Sequence, residues 1–325
     1  MGTSFRILPF DRWRSATDGL VGEVVRQDTV FFTSLVDATG LDHLRRAQVL
    51  AGGAKASYTA LVIRAISLAL REHPGMNRLV LGGLFRHRPV QLIGVDAVVA
   101  VERVRGGEDA VYAGVVRASD LKSSGQISEE LRRLASAEED ADPRLAFFMR
   151  LVRRVPGWLC RWLVGLPRYG PRLWIRHRGG AFALTTVGKY GVDSICAKWP
   201  WPLTFTYGEV KRRPVVVGDA VVPRNSFFLS MGFDRRLCNG APAARFFHDI
   251  VRRLETADLD EARRNSTAEP FDRLTAQALS EVEGNAELRN AQPVELHATQ
   301  ACDPLKPSVV DQSSPLRTSA SSAVK

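Results

Sequence analysis

Cysteine is scarce and unpatterned in this chain. The four cysteines, Cys160, Cys196, Cys238 and Cys302, form no C-x-x-C pair and stand beside no histidine at metal-ligand spacing, which argues against a structural zinc site or a disulfide framework. No stretch offers the roughly 18 uncharged apolar residues of a membrane-crossing helix. The opening MGTSFRILPF lacks the apolar core of a secretory leader, so a reducing cytoplasm is the expected compartment. Aromatic residues are missing from Gly284 onward, a segment that collects Pro293, Pro304, Pro307 and Pro315. Such a segment buries too little to offset its ordering entropy. Residues 266–325 are therefore expected to hold one short helix, Phe271 to Val282, and a disordered tail. Acidic residues are missing from one further place, Pro143 to Gly180.

What is present is a chain of 325 residues, 45% hydrophobic and 25% charged, large enough to bury a core without staples. Its net charge of +10 points to an anionic partner and says nothing about fold. Alternating apolar and β-branched residues predict strands at Val30 to Asp37, Val90 to Glu102, Val111 to Val116, Phe182 to Thr186, Pro214 to Val217 and Phe227 to Phe233. Helical periodicity predicts a helix from an N-cap at Ser57 to the His73-Pro74-Gly75 stop, with Tyr58, Leu61, Ala65, Leu68 and Ala69 on one face. Further helices are predicted over Ile127 to Asp140 and Ala241 to Leu254. The reading is one mixed α/β domain over residues 1–265.

The stretch Phe227 to Leu254, FFLSMGFDRRLCNGAPAARFFHDIVRRL, resembles the signature of the 2-oxoacid dehydrogenase acyltransferases. That signature is D-H-R-x-x-D-G-A, or the same with Asn for the second Asp, followed by an A-A-R-F helix. SYTALVIRAISLALREHP, ALTTVGKYGVDSI and RRPVVVGDAVVPR resemble other segments of the same family in the same order, over about residues 5 to 255. The resemblance implies a chloramphenicol-acetyltransferase-like fold, a mixed sheet flanked by helices, assembled as a homotrimer with active sites in channels between subunits. It also implies coenzyme A, or a carrier phosphopantetheine thioester, as substrate, with no metal. The lipoyl domains of full-length members have no counterpart ahead of this core, so no lipoyl group is expected in cis and the acyl donor would come in trans.

Acyl transfer from a thioester needs a base for the attacking thiol or alcohol and a donor for the tetrahedral oxyanion. The family's base is the His of D-H-R, and the matching residue here is Arg235, a guanidinium that cannot accept a proton. Thr185 matches the family's oxyanion-donating Ser or Thr. Asn239 stands at the second acidic position, while Asp234 and Arg236 are unchanged and take a structural role. Pro200-Trp201-Pro202 and Tyr112-Ala113-Gly114 replace the family's N-x-P and V-V-P. Among the histidines, His177 is the candidate substitute base and His248 reads as a surface residue. Cys238 reads as a packed, inert thiol. Two functions remain open: an acyltransferase, or a catalytically impaired pseudoenzyme that keeps a trimeric core for binding or assembly.

Residues 143–180 form an insertion relative to the family, with nine arginines, no acid and interleaved aromatics, among them Arg150, Arg153, Arg154, Trp158, Arg161, Trp162 and Trp174. One reading is a helical elaboration whose aromatic face packs on the trimer or lines a widened acyl channel, with its arginines solvated. A second is an anchor at the inner face of the membrane. Nucleic acid is the least favoured partner. Without these residues the chain has 36 basic and 35 acidic residues, so the positive charge belongs to this one segment.

Overall fold

In the computed structural model the described residues are 22–24, 27–82, 87–105, 108–136 and 154–259. Contacts divide the chain into residues 1–266 and 267–325. The expected helix at 271–282 and the tail lie outside the described residues, as do Arg150 and Arg153.

Nine strands are described: β1 (Thr29–Asp37), β2 (Arg78–Gly82), β3 (His87–Gln91), β4 (Ala97–Arg105), β5 (Glu108–Val116), β6 (Phe182–Thr186), β7 (Leu203–Tyr207), β8 (Lys211–Val217) and β9 (Ala220–Asp234). The helices are α1 (Thr39–Leu50), α2 (Tyr58–Glu72), α3 (Ser124–Ser136), α4 (Gly157–Val164), α5 (Pro171–His177) and α6 (Gly240–Thr256). Seven strands form a mixed sheet in the order β1-β9-β7-β6-β4-β5, with β8 also paired to β9. The β4–β6 and β6–β7 pairs are parallel and the rest antiparallel. β2 and β3 make a separate two-stranded ribbon. This is the expected mixed sheet flanked by helices.

Sequence alternation sorts the sheet into two faces. Phe182, Leu184, Leu203, Phe205, Phe227, Leu229, Met231 and Phe233 point to the face that packs on α2 and α6. Val98 and Ala183 point to the other, where Trp174, Trp201, Leu79 and Leu81 cover them. Ser57 caps α2 as expected, accepting the Ala60 N–H at 3.2 Å. The one-sided apolar face expected of α2 is a correction: every residue from Ala60 to Leu70 is buried. Its two polar residues there are satisfied in place. Arg64 donates to the Leu259 and Asp120 carbonyls, and Ser67 meets Ser119 at 2.7 Å.

The single strand expected from Val90 to Glu102 is two. The buried Asn77 side chain donates to the Leu92 and Gly94 carbonyls, ending β3 and turning the chain before β4. β7 was not foreseen, because its five residues, all buried, sit behind the Trp-Pro-Trp-Pro run that reads as a loop. The passage from α5 into β6 is equally tight. A Cβ on Gly180 would lie 2.0 Å from the Asp96 carbonyl oxygen, so only glycine lets the chain pass this close to the start of β4 before it enters β6.

Candidate active site

β9 ends at Asp234, whose N–H donates to the Pro202 carbonyl at 3.0 Å, while the next N–H, of Arg235, donates to Asp28. The turn is thereby pinned between β7 and the approach to β1. Inside it Asp234, only 3% exposed, takes a two-pronged ion pair from Arg236: Nε at 2.9 and 3.0 Å and Nη2 at 2.6 Å. It also accepts the Arg236 N–H at 3.1 Å. Carboxylate and guanidinium are thus committed to each other, the arrangement expected of a structural pair.

Arg235 is exposed, and no side-chain hydrogen bond or ion pair of its own is found among the described residues. Asn239 opens α6 in extended backbone with its side chain exposed and uncommitted to the cap. Cys238 is partly buried against the core. Burial, with the neighbouring Asp234 charge, pushes its thiol up, the wrong direction for a nucleophile.

Thr185 lies one residue from the end of β6, half-buried, on the same face as Ala183. Its neighbour Thr186 is spent on the Tyr207 carbonyl at 2.9 Å, whereas no partner for the Thr185 hydroxyl is found among the described residues. Register fixes its relation to the turn. Thr185 pairs with Thr206, and Thr206 with Ser230 on β9. Arg235 lies five positions beyond Ser230, about 16 Å along the strand direction. One chain therefore does not bring Thr185 together with Arg235 and Asn239.

His177 closes α5 and is exposed. Since β6 begins beside β7 at Phe182 and Leu203, opposite Phe233, α5 enters at the end of the sheet that carries the Asp234 turn. A cleft of about 60 Å³ there is lined by Asp234, Arg236, Pro202, Glu23, Trp174 and Arg168, among others. Arg168 was not singled out from the sequence, yet its buried Nε has no hydrogen-bond partner within the described residues. Nothing in its local pattern distinguishes it from the other arginines of the insertion.

The insertion residues separate into two sets. Arg154, Trp158 and Trp162 are exposed, and the side chain of Arg161 lies outside the described residues. Trp174 corrects the expectation of a surface contact: it is 4% exposed and its indole N–H donates to Gly180 at 3.1 Å. Arg178 is also buried. It grips Glu23 at 2.7 and 2.8 Å and donates to the Val164 carbonyl. His248, by contrast, is exposed on α6 as expected. No group of three or more potential metal ligands occurs among the described residues.

Residues 176–260 match the family model of the 2-oxoacid dehydrogenases acyltransferase (catalytic domain). The dihydrolipoyllysine-residue acetyltransferase component of the pyruvate dehydrogenase complex of Zymomonas mobilis is 24% identical over 203 residues, covering 62% of this chain and 38% of that one. The chain spans between 13% and 42% of the length of the curated relatives it matches. Among solved structures, a probable dihydrolipoamide acetyltransferase from Listeria monocytogenes superposes with a TM-score of 0.57 at 20% identity, over 79% of this chain and 97% of that one. The dihydrolipoamide acetyltransferase of Azotobacter vinelandii, a protein whose catalytic mechanism was investigated at a serine, a histidine and an asparagine, gives 0.58 at 22% identity, over 80% and 93%. Over residues 176–260 the chain is similar in sequence to the catalytic domain of the 2-oxoacid dehydrogenase acyltransferases, and its fold is similar to that of the solved acetyltransferase cores.

Proposed function

We propose that the chain transfers an acyl group from a thioester of coenzyme A or of a carrier phosphopantetheine to a thiol acceptor, at a site completed by a second copy of the chain in a homotrimer. The observation that carries this reading is the separation of Thr185 from Arg235 within one chain, with Arg235 and Asn239 turned to solvent and no partner for the Thr185 hydroxyl among the described residues. The histidine and asparagine of the Azotobacter protein are four positions apart, the spacing of Arg235 and Asn239.

The chemistry follows from what Arg235 can and cannot do. It cannot take a proton, so the acceptor must ionise to solvent. A thiol does so with a pKa near ~8.5 and an alcohol does not in the working range. Arg235, a fixed cation, favours the thiolate. The thiolate sulfur attacks the thioester carbonyl carbon and the carbonyl pair moves to oxygen, where Thr185 Oγ–H donates a hydrogen bond. Collapse of this intermediate expels the donor thiolate, which is protonated by water.

The test is thioester consumption with thiol and alcohol acceptors across pH. The expected rate rises with thiol ionisation and shows no inflection near ~6.5, where a histidine base titrates. Thr185→Ala should lower kcat by roughly 10²- to 10³-fold, and Arg235→His should introduce the missing inflection. Absence of acceptor-dependent turnover in wild type and Thr185→Ala alike would overturn the reading. It would leave the second one, a non-catalytic trimeric binding or assembly core, which the loss of the base at Arg235 favours.

A further inference from the structure

The insertion keeps one side for the protein and offers the other to solvent. On α4, Cys160 and Val164 are buried, while Trp158 and Trp162, one turn apart on the opposite side, are 75% and 61% exposed. On α5, Trp174 is the inward residue. Arg172 and Arg176, two positions to either side of it, project outward at helical spacing, flanked by Leu173 and Ile175 at 44% and 43% exposure. Tyr169, between the two helices, is half exposed. A roll of large apolar side chains is thus held at the surface among guanidinium groups, fixed from beneath by Trp174, Cys160 and the Arg178–Glu23 ion pair.

From this we infer that the α4–α5 face is a docking surface for anionic phospholipid, lying in the headgroup layer with the indoles inserted. Charge selects this occupant. Residues 154–180 contain six arginines and no acid, and neither Arg172 nor Arg176 has an ion-pair partner among the described residues. A second copy docking through the same face would set these cations against their own kind, and the rest of the chain, with 36 basic and 35 acidic residues outside 143–180, has no excess of acid to offer it. A phospholipid surface supplies both needs, negative potential for arginine and an apolar layer for tryptophan. No described helix is long and apolar enough to cross a membrane, so the contact is one of lying on the surface. The inference is independent of acyl transfer.

The wild-type 325-residue chain should co-sediment with phosphatidylcholine vesicles containing phosphatidylserine at about 30%, should stay in the supernatant when mixed with pure phosphatidylcholine vesicles, and should be released by salt. Trp158→Ala with Trp162→Ala, and separately Arg172→Glu with Arg176→Glu, should each weaken partitioning at least about tenfold. All four residues are exposed, so melting temperature and oligomeric state should match wild type. Equal sedimentation by the variants would overturn the inference, as would failure of wild type to bind anionic vesicles at low salt. A change of oligomeric state in the tryptophan pair would also overturn it and reassign the face to a subunit contact. Retention of wild type by DNA without any vesicle binding would overturn it in favour of nucleic acid.

Discussion

α6 and the α4–α5 pair handle arginine in opposite ways. In α6, Arg253 is fully buried, with Nε on Asp249 at 2.9 Å and Nη2 on Glu72 of α2. Asp249 is shared with Arg252 at 2.7 Å and approached by His73 at 3.7 Å. Helix, neighbour and helix stop are joined by one charge network. The insertion has no acid of its own, so its buried cation, Arg178, depends on a carboxylate from elsewhere in the chain, Glu23. Its outward arginines, Arg154, Arg172 and Arg176, remain in solvent. In these two regions each buried guanidinium, Arg253 and Arg178, sits on a carboxylate, whereas Arg154, Arg172 and Arg176 stay exposed.

The sharpest way to break this comparison is Arg253→Ala, which removes the buried guanidinium that joins Asp249 to Glu72. Stability measured by urea unfolding should fall by about 3–5 kcal/mol. If it falls by less than the loss of an ordinary surface arginine, the network is ornamental. A gentler probe is pH. Burial raises the Asp249 carboxyl, but contacts from His73, Arg253 and Arg252 overcome this and hold it well below the usual carboxylate range. Because its folded value is depressed, its stabilisation is complete above the ordinary unfolded value near ~3.9 and is lost as pH falls below that. The urea midpoint should therefore drop as pH is lowered from neutral through this range, and Asp249→Asn should flatten the drop. Within the insertion, Trp174→Ala should cost roughly 3 kcal/mol, as for other buried large-to-small changes, whereas Trp158→Ala should stay within about 0.5 kcal/mol. Equal effects would mean that the two faces of the insertion are not distinct.

Much of the architecture was legible because the sheet alternates cleanly. Phe182 to Thr186 coincides with β6, and the Ser57 cap and His73 stop bound α2. α1 was missed because a single residue of its twelve, Leu41, is buried. Its start is set by Asp37, whose Oδ1 accepts from both the N–H and hydroxyl of Thr39. The Asp234–Arg236 pairing follows from the motif itself. The placement of Trp174 did not, since its neighbours Leu173 and Ile175 are as apolar in sequence and only tertiary packing chooses which of the three turns inward. The distance between Thr185 and Arg235 is a property of the pairing of β6, β7 and β9, and β7, the strand between the other two, was not read from the sequence.

The Arg178–Glu23 grip also bears on where this protein can be cut. A fragment drawn to the family match, beginning at residue 176, would start inside α5, retain Arg178, and discard both Glu23 and Trp174. It would carry a buried cation without its counter-charge and a sheet face stripped of its indole cover. The smallest unit that keeps its own ion pairs therefore starts ahead of Glu23, and an expression boundary or protease site placed between there and β6 would remove support from β6 itself.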